Sequence, residues 1–417
     1  MDRSPVSLSA YWRLVRDNRN FRLLWLAQMV SELGDWLYSV AIFSLLLELT
    51  GKASSVALAV VLQTLPQLFV APAAGVVNDR MSRKRVLILA DLARAAIVLA
   101  MLVVQRRELV GLIYVLLFAE TTMWAFFEPA RSAVIPNIAR EGEVLVANSV
   151  SSTTWSVNLA IGFAIGGVVA VAFGRNTVFV VNALSFLVSA SLIRSMRFAE
   201  PHVAGAAPLK ARDLADFSPV AEGLRYVAQN WRLLATLLVK AGLGVAGTNW
   251  VILPILGERV FPVFAKGLDA KRAGMLGMSL LMGARGVGAL LGPLVATSWA
   301  GREDSRLRSG ILYGFLASAA GSIWVALAAI VLSNAGGSVV WVFSTTLLQG
   351  QTEDRFRGRV FSTDYACMVV TMSLATYLAG ALIDHGLSAR TLALVTGAVS
   401  LGPALAWAWA LRRWTRA

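Results

Sequence analysis

A single cysteine, Cys367, in 417 residues leaves no internal disulfide to form, so no oxidising compartment is implied. There are two histidines, His202 and His385, and both fall in connections between apolar runs. Nothing is spaced like a zinc site, a nucleophilic triad or a phosphate-binding loop, so neither catalysis nor a cofactor is expected. Charge is also scarce. Only 15% of residues are charged while 57% are apolar, a balance that a soluble chain of this length does not carry. Acids are the scarcer sign, 24 against 38 Lys and Arg, for a net charge of +14. In a soluble protein that excess would suggest nucleic acid. Here the basic residues fall between apolar runs, so the charge reports topology and no nucleic-acid partner is expected.

A membrane span needs roughly 20 mostly apolar residues, and twelve such runs can be placed: 21–48, 53–77, 86–105, 109–131, 144–172, 176–195, 232–256, 273–299, 310–333, 336–351, 360–383 and 391–411. The first is too long and too acidic for a cleaved signal peptide, so no targeting segment beyond the helices is expected. With both termini cytoplasmic, 26 of the 38 Lys and Arg fall in or beside inside segments and 9 outside. That asymmetry decides the orientation. The one long connection, 196–231, carries Pro201, Gly205 and Pro208, then an amphipathic stretch from Phe217 to Trp231 suited to the membrane surface. It divides the chain into a six-helix bundle over 1–195, a cytoplasmic linker over 196–231 and a second six-helix bundle over 232–417.

Between the second and third runs lies Gly75-Val-Val-Asn-Asp79-Arg80-Met-Ser-Arg83-Lys84-Arg85. Its four cations cannot cross a bilayer and must stay cytoplasmic. The loop resembles the signature loop of the major facilitator superfamily, matching at Gly75, Asp79, Arg80, Arg83, Lys84 and Arg85, with Ser82 where that pattern has Gly. The resemblance implies an all-α membrane transporter of twelve transmembrane helices in two six-helix bundles, usually active as a monomer. It also implies that Asp79 latches onto the positive N-terminal end of a helix in the other half.

The halves echo each other, with Glu128-Pro129-Ala130-Arg131 after span 4 and Glu353-Asp354-Arg355 followed by Arg357-Gly358-Arg359 after span 10. The stretches 126–136, 147–149 and 347–361 are similar to the subfamily of enterobactin exporters, macrolide efflux proteins and lysophospholipid transporters. That similarity implies general activity and leaves the substrate open.

Ionisable residues at membrane depth are costly and by default functional. Glu32 and Asp35 share one turn of span 1, and Glu120 sits at mid-depth in span 4. The central charges of the second half are basic, Lys240 in span 7 and Arg285 in span 8. By resemblance, spans 1, 4, 7 and 10 line the cavity, so acids of one half would face bases of the other. The expected mechanism loads a proton on Asp35 or Glu120, rocks the halves, and releases the proton to the cytoplasm in exchange for substrate; simple pairing that holds the halves together is the competing reading. Asp91 and Arg94, three residues apart, read as a structural pair near the signature loop, and Asp364 reads the same way. With Arg131 and Arg355 to Arg359 they would form a cytoplasmic latch.

Gln63, Gln67, Asn158, Asn249 and Trp341 are the candidate substrate ligands, because a polar or aromatic group at depth must find a partner. Gly162 to Gly167 in span 5, and Gly283, Gly286, Gly288 and Gly292 in span 8, are placed for close approach of helices from the two halves. The function expected is proton-coupled export of an amphipathic small molecule across a cytoplasmic (inner) membrane. The alternative is a lysophospholipid carrier between leaflets.

Overall fold

The computed structural model describes residues 8–140, 143–204, 218–299, 323–352 and 354–414, and among them every regular element is helical, with no strand. The helices are α1 (Leu8–Asp17), α2 (Arg19–Thr50), α3 (Ala53–Leu62), α4 (Leu65–Arg80), α5 (Arg83–Ala100), α6 (Val110–Ile138), α7 (Val144–Phe173), α8 (Arg175–Arg194), α9 (Ser218–Ala228), α10 (Trp231–Val245), α11 (Asn249–Ile255), α12 (Ala270–Trp299), α13 (Ile323–Gln351), α14 (Asp354–Asp384) and α15 (Ala389–Trp414). Among the described residues, ten stretches are long and apolar enough to cross a membrane, including Arg19–Thr50, Ala53–Arg80, Trp231–Val260 and Val360–Asp384. Large apolar side chains such as Leu89, Val115, Phe118, Leu374 and Leu405 stand exposed on their outer faces, as a lipid-facing surface requires.

Local chemistry sets the helix ends. Asn18 caps α2, its Oδ1 accepting from the Phe21 N–H at 3.0 Å, and Asn230 caps α10 through the Arg232 and Leu233 N–H groups. At the other ends, Gly51 (φ 68°) and Gly386 (φ 99°) take the left-handed conformation that stops α2 and α14 at little steric cost. The second span is broken at Gln63 and Thr64, because Pro66 has no N–H to return to Leu62. Span 7 is interrupted too, by a tight turn over 246–248 and a wide turn over 256–260 that follows Pro254.

The chain divides into two compact units. One contains residues 1–41 and 69–216, the other 42–68 and 217–417. The core of the first joins Phe21, Leu24 and Ala27 of α2 to Leu87 and Ala90 of α5, Phe127, Ala130 and Val134 of α6, Ala147 and Val150 of α7, and Ile193 of α8. In the second, Val227 of α9 packs with Leu233 and Leu237 of α10, Leu348 of α13 and Val360 of α14. That contact ties α9, expected as a surface helix, into the second core.

Two expectations change. The residue pattern separates the ninth and tenth runs at 333–336, but α13 is continuous from Ile323 through Gly336 to Gln351, while residues 300–322 lie outside the described residues. The polar Ser333-Asn334 pair does not break the helix because Asn334 Nδ2 donates to the Ile330 carbonyl of the same helix, 3.0 Å away. The glycines of span 8 make their close approach within one unit: a Cβ on Gly288 would meet Asn334 at 2.9 Å, and one on Gly292 would meet the Ala335 backbone at 2.8 Å, both on α13. In span 5, Gly166 rests on the Leu37 backbone of α2, where a Cβ would come to 2.8 Å.

Candidate functional site

In the first unit, α2, α5, α6 and α8 bring four charged side chains to one place. Arg94 of α5 is almost fully buried, and its guanidinium donates from Nη2 to Asp35 Oδ2 of α2 at 2.5 Å and from Nε to Glu120 Oε1 of α6 at 2.8 Å. Asp91, one turn earlier on α5, places Oδ1 3.7 Å from Arg94 Nη1, and neither of its oxygens has a hydrogen-bond partner among the described residues. The Phe186 ring of α8 lies beneath the guanidinium at 4.0 Å, and Asn182 of α8 donates to Asp35 Oδ1 at 3.4 Å. Gly34 makes this possible, since a Cβ there would collide with the side chains of Asn182 and Ser185 and push α2 off α8.

This arrangement corrects the placement of Arg94 and Asp91 with the signature loop. Arg94 lies eleven residues beyond the start of α5 at Arg83, roughly 16 Å along the axis. At that depth water cannot solvate it, so its charge turns to the carboxylates of α2 and α6. The base facing Asp35 and Glu120 is therefore Arg94, where Lys240 or Arg285 was expected.

A second polar chain runs from Glu32. Gln28, one turn earlier on α2, donates to Glu32 Oε1 at 2.9 Å and to the Ser151 carbonyl, while Asn158 of α7 donates to Glu32 Oε2 at 3.1 Å. Arg131 donates to Gln28 Oε1 at 3.0 Å and grips Glu128 with two bonds of 2.5 and 2.9 Å. Gln28 thus links Arg131 to Glu32. Sequence reasoning missed it, although its four-residue spacing from Glu32 on a helix was a usable signal.

At the signature loop, Asp79 stands in solvent with Arg83 Nη2 3.9 Å away. Arg83 donates to the Asn78 and Ala133 carbonyls, and Lys84 Nζ to the Met196 carbonyl at 2.6 Å. Ser82 caps α5 by accepting from the Arg85 N–H, and its hydroxyl donates to Glu200 at 2.6 Å. Glu200, a residue the sequence did not single out, also accepts from the Lys84 N–H. Arg85 is exposed, and a Cβ on Gly75 would meet nothing within 4 Å. The side chains of 353–359, including Arg355, Arg357 and Arg359, lie outside the described residues.

In the second unit Lys240 of α10 donates to Asp364 Oδ2 at 2.6 Å and to Thr345 at 3.0 Å, and lies over the Trp341 ring at 4.1 Å. Asp364 is therefore the buried counter-charge of Lys240, where a pairing near the cytoplasmic end was expected. Both side chains are nearly fully buried, and neither is stable there without the other. Arg285 of α12 lies 3.6 Å from the Trp250 ring centroid. Gln67 accepts from the Tyr365 hydroxyl and donates to the Gln63 carbonyl at the break in span 2, and Asn249 lines a small cavity with Leu281, Ser333 and Asn334.

A family model described as "transmembrane secretion effector" matches residues 12–417. The MFS-type transporter YfiS of Bacillus subtilis is 30% identical over 43% of this chain and 43% of its own length, so that match spans less than half of either protein. Macrolide efflux protein A of Streptococcus pyogenes is 25% identical over 90% of each chain. The crystal structure of the nucleoside transporter NupG superposes with a TM-score of 0.68 at 12% identity, covering 94% of this chain and 98% of that one, a likeness of fold alone.

Proposed function

Starting from its membership of the transmembrane secretion effector family, within the major facilitator superfamily of multi-pass membrane transporters, we propose that this chain exports an amphipathic small molecule in exchange for protons by alternating access. The observation that carries the reading is the gathering of Asp35, Glu120 and Asp91 around the single guanidinium of Arg94. Three carboxylates and one cation leave an excess of negative charge in a place where uncompensated charge is expensive. Protons are the smallest groups that can offset it, and two are needed to neutralise the cluster fully.

Asp35 is the first proton carrier in this reading. It is the most accessible acid of the cluster, with about a quarter of its side chain exposed, against 9% for Glu120 and none for Asp91. Arg94 is the fixed counter-charge, held in orientation by Phe186. A small movement of α2 that lengthens the Asp35 to Arg94 contact removes the cation that favours the ionised form, and the carboxylate takes up a proton. Glu32, one turn away and joined through Gln28 to Arg131 and Glu128, is the next station toward the cytoplasm. Lys240 and Asp364 form a neutral pair that shapes the second bundle. Gln63, Gln67, Asn158, Asn249 and Trp341 supply polar and aromatic contacts to the cargo, and the basic signature loop keeps its end of the protein on the cytoplasmic side of the inner membrane.

The test needs no prior guess at the cargo. Culture medium and membrane lipids are compared, untargeted, among cells lacking the protein, carrying it, and carrying Asp35→Asn, each with and without an ionophore that collapses the proton gradient. Compounds that accumulate in the medium only with the intact chain, and vanish with Asp35→Asn or with the ionophore, are the expected result. Export by Asp35→Asn with its pH dependence intact rules out the role given to Asp35. A change confined to lysophospholipids replaces efflux by lipid transfer.

A further inference from the structure

Of the cations inside the spans, Arg94, Arg131 and Lys240 each touch a carboxylate in their own unit. Among the described residues, Arg285 has no such partner. Its Nη1 is buried without a hydrogen-bond partner among those residues, and its close contact of charge character is the face of Trp250. A guanidinium carries its donors on its edge and stacks through its face. The Trp250 ring, 3.6 Å from the guanidinium carbon, covers it on one side and leaves the Nη1 donor unused. A buried donor left unmade on a half-buried cation costs free energy unless something arrives to accept its hydrogen bond.

The surroundings say what kind of partner fits. Leu281, one turn before Arg285 on α12, lines a cavity of ≈ 40 Å³ together with Asn249, Ser333 and Asn334 on the polar side and Ile252 and Phe261 on the apolar side. A cavity holds a water from roughly 10–15 Å³ of such space, so this one has room for a few water-sized groups. Gly288, one turn after Arg285, lets α13 close against α12, with Asn334 at that contact. Arg285 and Trp250 do not line that cavity themselves; what they offer beside it is a guanidinium with an unmade donor held against an aromatic face, which suits an acidic group attached to an apolar or aromatic body.

We propose that Arg285, held by Trp250, is the anion-binding group of this protein and that its cargo carries a carboxylate or a similar acidic group beside an apolar body. Only the word cargo rests on the export reading; the anion seat itself does not. A charge-assisted bond to guanidinium is worth at least about tenfold in affinity when the alternative is an unpaired buried donor.

The test uses purified full-length protein in phosphatidylcholine nanodiscs and a matched pair of probes, 2-naphthoate and its neutral amide, 2-naphthamide, with binding read from thermal stabilisation across a millimolar titration. The intact chain is expected to bind naphthoate at least about tenfold more tightly than naphthamide. Arg285→Gln should abolish that preference without lowering the unliganded melting temperature, Arg285→Lys should keep part of it, and Trp250→Leu should weaken naphthoate. The absence of a preference in the intact chain, or its persistence in Arg285→Gln, overturns the proposal. If naphthoate binds in phosphatidylcholine but is displaced when phosphatidylglycerol replaces it, the seat belongs to a lipid headgroup and the cargo assignment falls. Because the readout is binding, a chain that binds naphthoate through Arg285 yet exports nothing refutes the export reading and leaves the anion seat standing.

Discussion

The two units treat buried charge in opposite ways. In the first, one guanidinium meets three carboxylates, Asp35, Asp91 and Glu120. In the second, Lys240 meets one carboxylate, Asp364, and Arg285 meets none among the described residues. An excess of acids is an invitation to protons, a matched pair is structural, and a surplus cation is an invitation to anions. On the reading proposed above, proton handling falls to the first unit and cargo charge to the second, a division of labour that neither unit's fold alone implies.

Removing the shared cation should break that comparison hardest. Arg94→Met leaves three carboxylates without a counter-charge, and we expect a loss of about 3–5 kcal/mol, enough to collapse membrane abundance. The check is the melting temperature and yield of purified protein. Arg94→Lys should recover part of the loss, because an ammonium can satisfy Asp35 but not fork to Glu120 as well.

The second unit offers a cleaner arithmetic. Lys240→Met and Asp364→Leu should each cost about 3–5 kcal/mol as singles, whereas the double substitution should return near the parent. A double-mutant cycle by thermal unfolding measures this, and additive losses would show that the pair does more than neutralise itself. Arg285→Met supplies the contrast: with no carboxylate to orphan, it should leave the melting temperature unchanged or raise it.

Packing comes next. Gly166→Val inserts a branched side chain where a Cβ already meets the Leu37 backbone at 2.8 Å. We expect about 1–3 kcal/mol of destabilisation, read by unfolding in detergent, because backbone cannot step aside as a flexible side chain can. The smallest effect should be at Ser82, the N-cap of α5. Ser82→Ala should cost about 1 kcal/mol and Ser82→Gly, the residue that the superfamily pattern carries, only a few tenths. A loss well above about 1 kcal/mol in both variants would show that the hydroxyl bond to Glu200, which either change removes, matters more than the cap.

Much of this was legible in the residues. Apolar run lengths, basic connections and the signature loop point to a polytopic helical transporter, and the rarity of charge at depth is enough to single out Glu32, Asp35, Glu120, Lys240 and Arg285. Pairing was not legible. Which base answers Asp35 depends on the helix beside α2 and on how close it comes, and that distance is set by Gly34 against Asn182 and Ser185, on residues about 150 positions away. The residues around Asn334 read as a break because polarity along a chain looks like a turn, whereas the side chain bonds its own helix.

What the sequence determined by itself is what depends on composition and period: membrane class, helical content, and the identity of the residues that membrane depth makes expensive. What only the tertiary structure decided is how those charges are matched, Arg94 with three acids, Lys240 with one and Arg285 with a tryptophan face. The physical reason is that solvation cost is a property of a residue and its depth, while its compensation is a property of contacts made across helices far apart in the chain.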